Sequence, residues 1–148
     1  MPYGESSLRH AVPSHAHSIA KVDVGSRRGT YTGLLPDAVV NRFSIEKRER
    51  FWADTLAKAG PGQVVLVGCN ECHEVVGFAA GGAERTGKLG CDGELYALYL
   101  LPEVQRQRLG TLLFYRLVFE LRLRGFHSMA VWVLAEVRHE LGDFSYFG

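Results

Sequence analysis

Residues 94–136 constrain the fold more tightly than any other part of the chain. "ELYALYLL" is an apolar strand that ends before Pro102. "RLGTLLFYRLVFELRLRG" then repeats apolar residues at helical spacing, through Leu109, Leu112, Leu113, Leu117, Phe119 and Leu121, and stops at Gly125. "SMAVWVLAE" follows as a buried strand. Strand, loop, helix and strand in that order make one right-handed parallel crossover, so this half of the chain has to build a sheet with a helix packed on it.

The preceding residues add antiparallel strands. "GQVVLVG" and "HEVVGFAAGG" are β-branched apolar runs separated by "CNEC", where Asn70 supplies a turn, and together they read as a hairpin. "SIEKRERFWADTLAKAG" places Ile45, Arg48, Phe51, Trp52 and Leu56 at helical spacing, with Ser44 as its cap and Gly60 as its stop. Nearer the start, "SLRHAV" reads as a short strand and "PSHAHSIAKVDVGS" as a helix capped by Ser14. "RRGTYTGLLPD", with two glycines and a proline, reads as a connecting loop. "VRHELGDFSYFG" fits neither period. The expected architecture is a mixed α/β sheet, antiparallel first and parallel last, in one domain over residues 1–148.

Composition removes several function classes. Hydrophobic residues make up 47% of the 148, which is the make-up of a folded domain. A formal charge of +1 gives no general attraction to nucleic acid. No uncharged apolar run approaches the roughly 18 residues of a membrane span, and the first residues lack the pattern of an export signal. A soluble, cytoplasmic protein with reduced cysteines is expected. "CNECH" has the Cys-x-x-Cys-His spacing of c-type haem attachment. Export is not indicated, however, and zinc at Cys69 and Cys72 would need two more ligands, for which only His73 and the distant Cys91 offer themselves. A hairpin turn without metal is the reading.

The strongest chemical signal is the junction "LYLLPEVQRQRLGTLLF". A helix start carries unpaired N–H groups and the positive end of the dipole, which favour phosphate oxygens. Gly110 lets the backbone approach a ligand, and Arg106 and Arg108 can add charge-assisted bonds to a pyrophosphate.

This run resembles the acyl-CoA-binding motif of the GCN5-related N-acetyltransferases, in which a Gln/Arg–Gly loop wraps the pyrophosphate of coenzyme A. Here Gln105, Arg106, Gln107, Arg108, Leu109 and Gly110 occupy it, with Thr111 next, and Arg108 stands where the family usually has glycine. Residues 28–37 are similar to the segment that helps wall the acceptor site in one bacterial branch, and "VVGFAAGG", "GELYALYLLPE" and "GFHSMAVWVLAE" resemble its third, fourth and fifth strands.

The resemblance implies acetyl transfer from acetyl-CoA to a primary amine of a small molecule or peptide, by direct attack and without metal. Glu94, eleven positions before Gln105, matches the family's general base, and beside apolar strands its carboxyl would have a raised pKa. The backbone of Leu98, Tyr99 and Leu100 would hold the pantetheine arm and polarise the thioester. Strand alternation puts Tyr96 and Tyr99 on opposite faces, so at most one would face the acceptor. Tyr31 and Tyr96 are the candidate acceptor-side residues, and Trp52 is a core residue before it is a wall.

Phe144 falls where the family's acid tyrosine is expected on a helix, which leaves Tyr146 as the candidate acid. The sheet would lack its last one or two strands, leaving the fifth strand's edge open for a homodimer partner through residues 137–148. A scaffold that keeps the fold without catalysis is the alternative.

Overall fold

Among the described residues, six strands form one sheet in chain order: β1 (Leu8–His10), β2 (Gln63–Cys69), β3 (Val75–Ala83), β4 (Gly93–Leu100), β5 (Met129–Val131) and β6 (Tyr146–Phe147). The structure, a computed structural model, describes residues 3–31, 36, 44–131 and 146–147. Every described strand pair is antiparallel except β4 with β5, which is parallel. The helix that spans this parallel pair is α3 (Leu109–Leu123), so the expected crossover is present.

Two apolar layers sandwich the sheet. On one face α3 lays down Leu109, Leu113, Leu117 and Leu121, all buried, against Leu8, Val64, Leu66, Val76, Ala79 and Met129. The i, i+4 spacing makes this a single seam, and each buried leucine contributes about 1.5–3 kcal/mol. On the other face α1 (Ala16–Tyr31) and α2 (Ile45–Ala57) cover Val65, Val67, Phe78 and Ala80 with Ile19, Val22, Trp52 and Leu56. Because β2 is covered on both sides, its sequence is a continuous apolar run rather than an alternating one.

Asp23 ties α1 to α2. Its carboxylate is fully buried, 2.8 Å from Arg27 Nε and 2.7 Å from Arg48 Nε, and it accepts a 2.9 Å bond from Trp52 Nε1. Trp52 is thus a core residue with its N–H satisfied, and Arg48 is on the buried side of α2 because it serves this carboxylate.

Several local expectations change. Ser44 does cap α2, accepting from the Lys47 N–H. Ser14 does not cap α1; it lies in a 3-10 turn (Pro13–His15) in which the His15 ring accepts the Val12 N–H. α1 runs on to Tyr31 through residues expected in a loop. Tertiary contacts override the glycine signal: Asp23 pairs with Arg27 one turn on, and Ser26 Oγ donates to the Leu100 carbonyl at 2.7 Å.

β6 corrects the expected open edge. Phe147 and Tyr146 pair with Met129 and Ala130, so the chain's own last strand covers β5 and that edge no longer calls for a partner subunit. Phe144 and most of residues 137–148 lie outside the described residues.

Candidate active site

β4 carries an extra residue. Its pairing with β3 steps from Ala80↔Ala97 to Gly81↔Leu95, so Tyr96 is a bulge. This overturns the alternation argument: Tyr96 and Tyr99 both pack against the α1/α2 face. A period of two fails by one residue wherever a bulge intervenes.

On its other side, β4 pairs with β5 through Gly93↔Met129, Glu94↔Ala130 and Leu95↔Val131. Beyond the bulge, Leu98, Tyr99 and Leu100 pair with Ala79, Phe78 and Gly77 of β3. The Leu101 N–H bonds the Val76 carbonyl, which sets the phase of the antiparallel ladder. In that phase the N–H and C=O of Tyr99 point at Phe78, whereas those of Leu98 and Leu100 point away from β3. The Leu100 carbonyl already accepts from Ser26 Oγ and, at 3.5 Å, from Gln105 Nε2. Among the described residues, Leu98 therefore has the freer backbone edge.

Following β4, a 3-10 turn (Pro102–Val104) is anchored by buried Val104, and the side chains of Gln105, Arg106, Gln107 and Arg108 are exposed. Gln107 Nε2 ties back to the Glu103 carbonyl at 3.2 Å. Arg106 and Arg108 have φ of 65° and 72°, in the left-handed region. Left-handed residues in a turn direct backbone N–H groups into a concave, anion-binding array. Arg108 is the N-cap of α3 and makes no side-chain cap bond, in contrast to Ser44 on α2. Its carbonyl accepts the first helical bond, from the Leu112 N–H, so Leu109, Gly110 and Thr111 head the helix with N–H groups that have no acceptor within it.

Leu109 is fully buried and Thr111 exposed, so Leu109 can offer a ligand only its backbone. The left-handed φ gives a physical reason for glycine at position 108 in the family pattern. Gly110 also has a packing reason: a Cβ there would lie 3.1 Å from Leu100 Cδ1. It seats the helix start against Leu100 of β4.

Glu94 is 2% exposed. Its carboxylate accepts from the Arg85 backbone N–H at 2.9 Å, from Arg85 Nε at 3.2 Å and from Arg85 Nη2 at 2.7 Å. Apolar strands are thus not its only neighbours, because Arg85 supplies a counter-charge. The same guanidinium lies 4.3 Å above the Tyr96 ring, whose hydroxyl donates to the Ala83 carbonyl. Burial pushes the Tyr96 hydroxyl above its usual pKa, with Arg85 opposing and the Glu94 and Glu84 carboxylates adding to the rise. The hydrogen bond to Glu94 raises the Arg85 guanidinium in turn.

Arg85 was not singled out by the sequence. It sits in "ERTGKLGCDG", a glycine-rich connection, and only the β3–β4 pairing carries it onto Glu94 nine positions away.

Other candidates fall as follows. Tyr146 lies on a strand, in register with Glu94 across β5 through Ala130, about 10 Å away at two strand spacings. The backbone of Tyr31 ends α1, while its side chain lies outside the described residues. Residues 32–35 and 37, from the segment expected to wall the acceptor site, do so too. Asn70 Oδ1 accepts from the N–H groups of Cys72 and Glu74, making the hairpin turn as expected. Cys69 is buried and Cys72 exposed, both thiols are free, and burial pushes the Cys69 thiol up. Among the described residues, no group of three or more His, Cys, Asp or Glu side chains is placed to hold a metal.

A strand that leads through a left-handed turn into an uncapped helix start suits an extended thioester ending in a diphosphate, the shape that a coenzyme A-dependent acyltransferase has to hold. Residues 30–142 match the model of the Acetyltransferase (GNAT) family, and the chain belongs to that family. It is similar to the Uncharacterized N-acetyltransferase YuaI of Bacillus subtilis (strain 168), with 38% identity over 130 residues, 88% of this chain and 72% of that protein.

Among solved structures, the PaiA N-acetyltransferase of Thermoplasma acidophilum in complex with coenzyme A superposes with a TM-score of 0.69 at 17% identity, over 95% of this chain and 94% of that one. A GNAT family acetyltransferase of Brucella melitensis in complex with acetyl-CoA gives 0.62 at 21% identity, over 91% and 80%. Acetyl transfer is the family's chemistry, and the non-catalytic scaffold is not favoured.

Proposed function

We propose that the chain transfers the acetyl group of acetyl-CoA to a primary amine by direct attack, with Glu94 as the base. The observation that carries this reading is the buried Glu94 carboxylate at the root of β4, on the strand whose far end leads into the uncapped start of α3. Acetyl-CoA would lie along β4, its diphosphate on the N–H groups of residues 105–111 and near the guanidinium groups of Arg106 and Arg108.

An acceptor arriving as an ammonium ion gives a proton to the Glu94 carboxylate, directly or through water. The freed lone pair attacks the thioester carbon, the C–S bond breaks, and the departing thiolate takes the proton the new amide nitrogen sheds, with Tyr146 the candidate relay. The Leu98 N–H, pointing away from β3, is the donor for the developing oxyanion.

Membership of the acetyltransferase family and the similarity to an N-acetyltransferase support acetyl transfer; the choice of primary amine comes from the resemblance and from the carboxylate that must deprotonate it. Free-thiol release from acetyl-CoA over a panel of polyamines, amino sugars, amino acids and peptides tests the reading. Release that depends on an amine supports it, whereas a protein that binds acetyl-CoA and never releases thiol refutes it. A homodimer, expected from the sequence, would have to use a surface other than the β5 edge. Light scattering at micromolar concentration tests that separately.

A further inference from the structure

Glu94 is buried, yet the cation that holds it reaches in from outside. The Arg85 side chain is 60% exposed and that of Glu94 3%, so the guanidinium enters from the surface. It comes from residues 84–92, where Gly87 and Gly90 take left-handed turns and the Glu84 carboxylate accepts from the backbone and hydroxyl of Thr86. A carboxylate at the end of an aromatic face is the chemistry that holds organic cations.

We propose that Arg85 is an internal stand-in for a cationic acceptor: the Glu94 carboxylate and the Tyr96 ring form a cage for an alkylammonium group, which enters by displacing the guanidinium. The inference rests on the reading that Glu94 faces the acceptor. Among the described residues, the charged groups that act on Arg85 and Tyr96 are Glu94 itself and Glu84 from the β3–β4 connection. Asp92, at the start of β4, is engaged by the N–H groups of His127 and Ser128.

An internal competitor raises the apparent KM of the acceptor by holding the cage closed for part of the time. It also keeps a buried carboxylate paired while no substrate is bound. Arg85 on this account sets which amines bind, and it is a positioning residue rather than a catalytic one.

The test is binding of ethylammonium and ethylguanidinium chloride, followed by NMR shift titration against sodium chloride of equal ionic strength. It uses wild type, Arg85→Ala and the double variant Arg85→Ala/Glu94→Gln. Arg85→Ala is expected to bind both ions saturably and at least about tenfold more tightly than wild type, and the double variant to lose that binding. Arg85→Met, which keeps the aliphatic stem over Tyr96, carries the test if the alanine variant does not fold.

Equal binding by wild type and the Arg85 variants, or tight binding that survives Glu94→Gln, overturns the proposal. This readout needs no turnover, so it separates two failures. If Glu94→Gln keeps full activity while Arg85→Ala binds the cations, the base assignment falls and the cage stands. If Glu94→Gln is inactive while Arg85→Ala binds nothing, the cage falls and the base stands.

Discussion

Arg108→Gly should make the protein more stable and bind acetyl-CoA less well. Arg108 has φ of 72°, where a side chain crowds the following carbonyl at a cost of about 1–2 kcal/mol. Glycine removes that cost and adds about 0.5–1 kcal/mol of unfolded-chain entropy, leaving a net gain of about 0.5–1 kcal/mol. For a chain of 148 residues this is a rise in Tm of about 1–4 °C.

The guanidinium is exposed and makes no cap bond, so its loss removes one charge-assisted contact to a diphosphate. Titration calorimetry should show this as about three- to tenfold weaker binding. Arg108→Ala separates the two effects, because alanine keeps the left-handed strain and lacks the charge. It should lose affinity as glycine does and gain no stability. An alanine variant as stable as the glycine variant, or a glycine variant that melts below wild type, would refute the reasoning.

Three further expectations follow from the packing. Burial raises the Glu120 carboxyl, but hydrogen bonds from Arg124 and Arg116 and the nearby His10 outweigh it and bring it from 4.5 to about 2. A depressed folded pKa gives stability that is complete above pH 4.5 and lost as pH falls towards 2. Allowing for the partly exposed arginines, the amount is about 2 kcal/mol, and Glu120→Gln should flatten that limb of a denaturation–pH curve. Asp23→Ala leaves Arg27, Arg48 and the Trp52 N–H without their carboxylate and should cost about 3–5 kcal/mol in urea unfolding, with Asp23→Asn costing less. Cys69→Ser puts a hydroxyl into the core and should cost about 1–2 kcal/mol, whereas Cys72→Ser, in the exposed turn, should stay within about 0.5 kcal/mol.

The elements that were legible are those whose signal is local. The α3 leucines repeat at four, the β2–β3 hairpin carries Asn70 in its turn, and Ser44 sits one residue before Ile45. What was not legible depends on partners far away in sequence. The extra residue at Tyr96 shows itself only against β3, so alternation put two tyrosines on opposite faces when both share one. Arg85 meets Glu94 only because β3 and β4 are paired. The packing of Gly110 against Leu100 likewise has no local signal. The end of α1 was hidden by its glycines, since Asp23, Ser26 and Leu100 act from the tertiary fold. At the site, the loop at residues 105–111 could be found because phosphate chemistry needs a glycine, arginines and a helix start in one short run. An ion pair across a hairpin has no such signature.

The central claim is that Glu94 takes the proton from the acceptor amine. Its most direct test is the pH–rate profile of Glu94→Gln beside wild type, using the best amine found in the thiol-release panel and saturating acetyl-CoA. The variant should turn over about 10²-fold more slowly near neutral pH, recover as the amine deprotonates unaided at high pH, and keep its affinity for acetyl-CoA. Turnover equal to wild type at every pH, in a variant that folds and binds acetyl-CoA, would contradict the claim.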